Sequence, residues 1–225
     1  VNACPPYFVA PLDRALFAAA ETLIQPPGGG PLPPLADGRF RYVLAANGLF
    51  VQARTAALEA SLPLAALPDG LPYGRARAGA RWRCEPPPAA LWRDLKRRAA
   101  AACPDEWAAY LLRDGAGYTV IEPSAVSRDA GHIAYPPLPA ALQERLVLHV
   151  HSHGAGDAYF SAQDDRADRD GGDGVYIAAV FGRCGQVETV TEAWRLVVWR
   201  WCWPLPEGLG TGSDGDCLPA GQAVW

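Results

Sequence analysis

At 225 residues, half of them apolar and including eight Trp, eight Tyr and six Phe, the chain can bury a sizeable core as one large domain or one domain with a small extension. A net charge of −4 gives no general pull toward nucleic acid or an anionic membrane, and no apolar run approaches the roughly 20 residues that span a bilayer. No basic segment followed by an apolar one opens the sequence, so a cytoplasmic location is expected. Basic residues are nearly all Arg, with Lys96 the one lysine, a bias that fits GC-rich coding better than any function. Six cysteines (Cys4, Cys84, Cys103, Cys184, Cys202 and Cys217) show no CxxC spacing. That excludes a zinc ribbon or a dense disulfide framework and predicts reduced, mostly buried thiols, with Cys184 and Cys202 in strand-like segments.

Along the chain, residues 12–24 allow one short helix with Leu16, Phe17, Ala20 and Leu23 inward, and the Pro- and Gly-rich run over 25–34 reads as a linker or surface loop. Alternation over 39–45, an Asn47-Gly48 turn and a return over 49–54 predict a hairpin. Short apolar stretches broken by Pro63, Pro68, Gly70 and Pro72 complete a β-rich N-terminal region, 1–85, whose role is not legible. After Pro86-Pro-Pro88, residues 89–102 form an amphipathic helix with Leu91, Leu95, Ala99 and Ala102 on one side, ended by Cys103-Pro104. Strands follow over 106–112, 118–121 and 132–135, with Asp114-Gly115 as a turn, one helical turn at 138–143, and a buried strand at 146–151. Strands over 175–181, 187–195 and 196–203 close an α+β domain, 86–204, with a mixed sheet. The Gly- and Asp-rich tail, 205–225, reads as flexible.

Chemistry concentrates in His149-Val-His151-Ser-His153-Gly-Ala-Gly-Asp-Ala-Tyr-Phe-Ser161-Ala-Gln-Asp164. Histidines at alternate strand positions share a face, and two can bind one ion at the strand's end. Residues 154–156 end the strand. Ser161 caps a new helix, and Asp164, three residues on, faces back toward the strand. Two imidazoles and one carboxylate are the ligand set of a catalytic zinc site whose fourth position is left to water. Such a water needs a base, and Glu106, at the mouth of the strand after the 89–102 helix, is the candidate.

The pattern Glu106, then His151-Ser-His153, seven residues, Ser161, two residues and Asp164 resembles the JAMM/MPN (Mov34/PAD-1, JAB) zinc metalloprotease family over about residues 89–203. The resemblance implies a three-layer-like fold similar to cytidine deaminases, with a partly curled mixed sheet flanked by helices. It implies Zn²⁺ held by His151, His153 and Asp164, Glu106 activating the zinc-bound water and protonating the leaving amine, and Ser161 helping to hold the oxyanion. The implied activity is deubiquitinase-like: hydrolysis of an amide or isopeptide bond at the C-terminus of a ubiquitin-like modifier. Within the family, the His-Ser-His-Gly step and the pairs Phe160-Ser161 and Asp164-Asp165 are most similar to the JAMM component of the bacterial PRTRC system. That would add homologues of activating and conjugating enzymes as partners. Where the family usually has Pro after the second histidine this chain has Gly154, which implies a looser loop.

Competing readings attach to the same residues. His149 reads as a satisfied core histidine rather than a third-shell or substrate-cleft residue. Glu122 and Glu144 compete with Glu106 but sit at the wrong strand ends. The run Asp164-Asp165-Arg-Ala-Asp168-Arg-Asp170 lacks the glycine and closing glutamate of a calcium loop and reads as a solvated helix. Gly208-Leu-Gly210-Thr-Gly212 lacks a nucleotide-binding context, and Trp194, Trp199, Trp201 and Trp203 read as sheet packing. The alternatives to a peptidase of modifiers are release of an amino acid from a carrier protein, a non-catalytic MPN scaffold, and a RadC-like DNA-associated protein, the last opposed by the acidic charge.

Overall fold

The computed structural model describes residues 20–67, 71–170 and 174–205. The first unit is a five-stranded sheet in the order β1 (Glu21–Ile24), β2 (Arg39–Ala45), β3 (Gly48–Arg54), β4 (Leu58–Ala65) and β5 (Gly79–Trp82). Only β1 and β2 run parallel. The helix expected over 12–24 is therefore corrected where it can be seen: Glu21–Ile24 hydrogen-bonds along β2 as an extended edge. Its first residues, 12–19, lie outside the described segments, as do Cys4, Cys217, the Pro68–Gly70 break and the tail from 206 onward. The hairpin is present with its turn one residue earlier than expected, because Ala45 pairs with Gly48 and the turn falls on Ala46-Asn47. Gly48 has φ +147°, and a β-carbon there would lie 2.5 Å from the Ala65 carbonyl oxygen.

The second unit begins with α1 (Ala89–Ala102), which buries Trp92, Leu95 and Ala99. There follow β6 (Ala108–Asp114), β7 (Gly117–Ile121), a small hairpin of β8 (Ser127–Asp129) and β9 (His132–Ala134), the single turn α2 (Ala140–Gln143) and β10 (Leu146–Ser152). Next are α3 (Ala162–Asp170), β11 (Val175–Gly182), β12 (Thr191–Val198) and β13 (Trp201–Leu205). The six main strands form one mixed sheet ordered β13-β12-β11-β10-β6-β7, with β10 and β11 parallel. This is the mixed α+β architecture that the sequence predicted. Several ends differ: β6 starts at Ala108, two residues after Glu106, and its turn falls on Gly115-Ala116. Residues 187–189 form a 3₁₀ turn, and the last hairpin breaks at Trp199-Arg200 instead of at 195/196. Trp199 there adopts φ +54°. Cys184 is a buried residue in an otherwise exposed turn after β11, and Cys84, Cys103, Cys184 and Cys202 are free thiols.

Alternation along the strands sorts the side chains between two faces of the six-stranded sheet. One face carries Leu111, Leu148, Val150, Ile177, Ala179, Phe181, Trp194 and Leu196 and is covered by α1 and by β3 and β4, through Val51, Ala53, Leu58, Ala60 and Leu62. The N-terminal sheet therefore lies against the main sheet rather than extending it. A stack of Phe40 on Trp199, centroids 4.5 Å apart and planes 20° apart, adds to this contact. The other face carries Tyr110, Leu112, Tyr176, Ala178 and Val197, covered by Leu138, Leu142 and Phe160. That second face holds the site. Among the described residues no helix is long and apolar enough to cross a membrane.

Because Leu58 is fully buried between the two sheets, Leu58→Ala is expected to lower unfolding free energy by about 2–5 kcal/mol. Urea unfolding followed by tryptophan fluorescence checks this.

Candidate metal centre

Strand β10 ends at the middle of the sheet, and its alternation sends His149 and His151 to the open face while Val150 and Ser152 point to the core. His153 follows on the first turn beyond the strand. Ser161 then caps α3 in a reciprocal box: its Oγ accepts from the Asp164 amide (3.2 Å), and its own amide donates to Asp164 Oδ2 (2.6 Å). This leaves Asp164 Oδ1 turned toward the histidines, 3.2 Å from His151 Nε2. The two histidine Nε2 atoms are 3.3 Å apart, and ligand atoms of His151, His153 and Asp164 all lie within 4.8 Å of one another.

The 3.2 and 3.3 Å separations are compatible with zinc. Ligands at about 2.0–2.1 Å from a tetrahedral ion stand about 3.3 Å from each other. Protonation states fit as well. Burial pushes the His151 imidazole down to about 3, so it is neutral near pH 7 and offers its lone pair. Burial alone would raise Asp164, but His151 and the two Ser161 hydrogen bonds outweigh it and hold the carboxyl below its usual range. His153 Nδ1 lies 3.0 Å from the Asp157 carbonyl oxygen, a bond that fixes the proton on Nδ1 and leaves Nε2 for a metal.

Glu106 sits across the cleft, just ahead of β6, where its amide donates to the Asp129 carbonyl of β8 (2.9 Å). It is 9 % exposed. Burial raises its pKa, His153 opposes that rise and Asp164 adds to it. Its rivals are elsewhere: Glu122 is ion-paired with Arg98 at 2.7 Å, and Glu144 is exposed beside Gly38. Glu106, His151, His153, Ser161 and Asp164 all line one cleft of about 680 Å³. All four histidines of the chain line it, His132 from β9 included. His149 is satisfied as expected, 2.7 Å from Tyr135 Oη and stacked on Tyr110 at 4.9 Å, yet it also faces the cleft.

Three features escaped the sequence reading. Ser152, between the two candidate ligands and fully buried, accepts the Trp107 amide on Oγ (2.9 Å) while its own amide donates to the Trp107 carbonyl (2.7 Å). This ties the Glu106 segment to the strand of histidines. Alternation alone shows that Ser152 points inward, but not what it meets. The acidic run is not simply solvated: Asp168, 3 % exposed, accepts from Arg195 Nε (2.7 Å) and Tyr176 Oη (2.9 Å), and Asp165 pairs with Arg195 Nη1 (2.6 Å). Arg195 also covers the Phe160 ring at 3.9 Å. Finally, the loop at Gly154 is not loose. Gly154 has φ +52°, and a β-carbon would lie 2.1 Å from the Pro104 carbonyl oxygen. The glycine lets the histidine loop press on the segment that carries Glu106.

A mixed sheet thus carries a two-histidine, one-carboxylate cluster that faces a buried glutamate, a donor set compatible with zinc. Residues 88–197 match the family described as prokaryotic homologs of the JAB domain, and residues 10–83 match a separate one, domain of unknown function (DUF2016). No curated protein matches the chain.

Gly154→Ala is expected to destabilise the fold by about 1–3 kcal/mol, since the side chain must adopt a left-handed conformation against backbone. The loss appears as a lower melting temperature, whereas Gly156→Ala, whose nearest contact would be 3.1 Å, should cost less.

Proposed function

We propose that this protein is a zinc-dependent metallo-isopeptidase that hydrolyses the amide or isopeptide bond at the C-terminus of a ubiquitin-like modifier, within a bacterial conjugation-like system. The observation that carries the reading is the meeting of His151, His153 and Asp164 at zinc spacing, with Glu106 facing them across one cleft. His151 Nε2, His153 Nε2 and Asp164 Oδ1 would hold the metal. A bound zinc supplies Lewis acidity and lowers the pKa of water at the open position.

Glu106 takes the proton from the attacking water on a carboxylate oxygen as the carbon–oxygen bond forms. It returns that proton to the leaving nitrogen as the carbon–nitrogen bond breaks, giving a carboxylic acid and an amine that become carboxylate and ammonium by proton exchange near pH 7. The raised pKa of Glu106 suits both halves of this transfer, because a carboxyl nearer neutrality accepts and releases the proton more evenly. Ser161 keeps its Oγ proton free, since the bond it makes to Asp164 is as an acceptor, and that proton can donate to the oxygen of the scissile carbonyl. The two-stranded β8–β9 sheet borders the cleft and leaves a strand edge on which an extended modifier tail can add. Similarity to the JAB family and the PRTRC-like motif steps supports the modifier as substrate and activating and conjugating enzyme homologues as partners.

Purified protein is expected to contain one zinc per chain by elemental analysis, lost in His151→Ala/His153→Ala. Glu106→Gln should keep the zinc and lower cleavage of a modifier fusion by about 10²–10⁴-fold. Protein that takes up no zinc would leave a scaffold as the better account. A Glu106→Gln variant cleaving at the wild-type rate would remove that residue from the mechanism.

A further inference from the structure

The outer face of the N-terminal sheet, turned away from the main sheet, holds a second cavity of about 1030 Å³. Its floor is β2 and β3, and its walls are the loop over 28–35 and an extended strap over 73–77. Arg41 lies in the floor at 6 % exposure. Its Nε donates to Gln52 Oε1 (2.9 Å) and its Nη1 to the Pro33 carbonyl (2.6 Å), and Gln52 is steadied in turn by Ser61 (3.4 Å). Among the described residues no carboxylate forms an ion pair with Arg41. Glu59, which also lines the cavity, is engaged by Arg81 at 2.7 Å.

A guanidinium does not shed its proton, so a buried one pays its desolvation in full unless an anion meets it. Neutral oxygens from Gln52 and Pro33 orient the group without neutralising it. Two more arginines, Arg75 and Arg77, occupy alternate positions of the strap, exposed and without a carboxylate partner among the described residues. The strap is fixed, not draped. Asn47 clamps Ala76 in both directions (2.9 and 2.8 Å), and the Gly74 amide donates to the Gln25 carbonyl (3.0 Å). A β-carbon on Gly74 would lie 2.1 Å from the Pro26 carbonyl oxygen, so the strap lies directly on the neighbouring loop. The fourth lining arginine, Arg54, is already committed to Asp37 at 2.8 Å. Glu21 and Glu59 act on Arg41 only at a distance, so among the described residues three positive groups line one polar cavity with no carboxylate in contact with them.

We propose that this cavity is an oxyanion-binding site, in which Arg41 at the base and Arg75 and Arg77 on the rim hold a carboxylate or phosphate borne by a larger molecule. Guanidinium forks match both anions with paired hydrogen bonds. The volume is on the scale of pockets that take a whole small molecule or a short peptide segment, beyond that of a free ion. The site lies across two sheets from the metal cleft and stands independently of the proposed hydrolysis.

The test is calorimetric titration of the full chain carrying His151→Ala/His153→Ala, so that no metal-bound anion contributes, with inorganic pyrophosphate and, separately, an acetylated tetraglutamate peptide. One probe or both should bind one to one with a dissociation constant below roughly a millimolar. Arg75→Ala/Arg77→Ala, on the surface and outside the core, should weaken binding at least about ten-fold, as should Arg41→Gln if it folds. Pyrophosphate alone binding identifies a phosphate ligand, the peptide alone a carboxylate ligand, and both a general oxyanion site. Binding of neither probe in that range, or a smaller loss in Arg75→Ala/Arg77→Ala, overturns the proposal.

Discussion

The buried pair between Asp168 and Arg195 is the contact on which the candidate centre depends. Helix α3 supplies Asp164, yet its sequence, Ala162 to Asp170, offers no apolar stripe to pack on the sheet. What holds it is polar: Asp168 receives Arg195 and Tyr176, Asp165 receives Arg195, and Phe160 lies under the guanidinium. Burial would lower the Arg195 pKa, but Asp168 outweighs it and the charge is kept. A buried ion pair adds little net stability over a well-packed apolar substitute, while losing one partner costs several kcal/mol. Its contribution here is position. It fixes which turn of the helix faces β10, and with that which carboxylate meets the histidines.

A second constraint joins the two sides of the cleft. Glu106 and the histidines come from segments 45 residues apart, and Ser152 links them through both the amide and the carbonyl of Trp107. Gly154 adds a close approach to Pro104 that any side chain would block. Glu106 and the candidate ligands are thus set by backbone contacts rather than by long flexible side chains, which suits the precise placement that the proposed reaction needs.

The sequence made the histidine strand, the capped helix and the glutamate readable because each obeys a local rule: alternation, the Ser-x-x-Asp cap, and a Pro that ends the preceding helix. It misplaced elements where tertiary pairing overrides local preference. Glu21–Ile24 became a strand only because β2 offered an edge, and the final hairpin turned at Trp199, a left-handed residue that no turn chemistry announces. Asp168 looked solvated because its partner, Arg195, lies 27 residues away on another strand. The fit of Gly154 was misread for the same reason: the atom that demands glycine belongs to Pro104.

The packing of Leu58, Leu62 and Val51 against Phe181, Trp194 and Trp203 has a consequence for how the gene can be cut. Two family matches meet between residues 83 and 88, which suggests separable modules. Their side chains form a single cluster, so sequence modularity and folding modularity part company in this chain. A fragment starting at residue 88 would present a sheet face of large aromatic and aliphatic groups to water, the usual route to aggregation. The N-terminal unit covers, within the same chain, the face that its neighbour would otherwise expose.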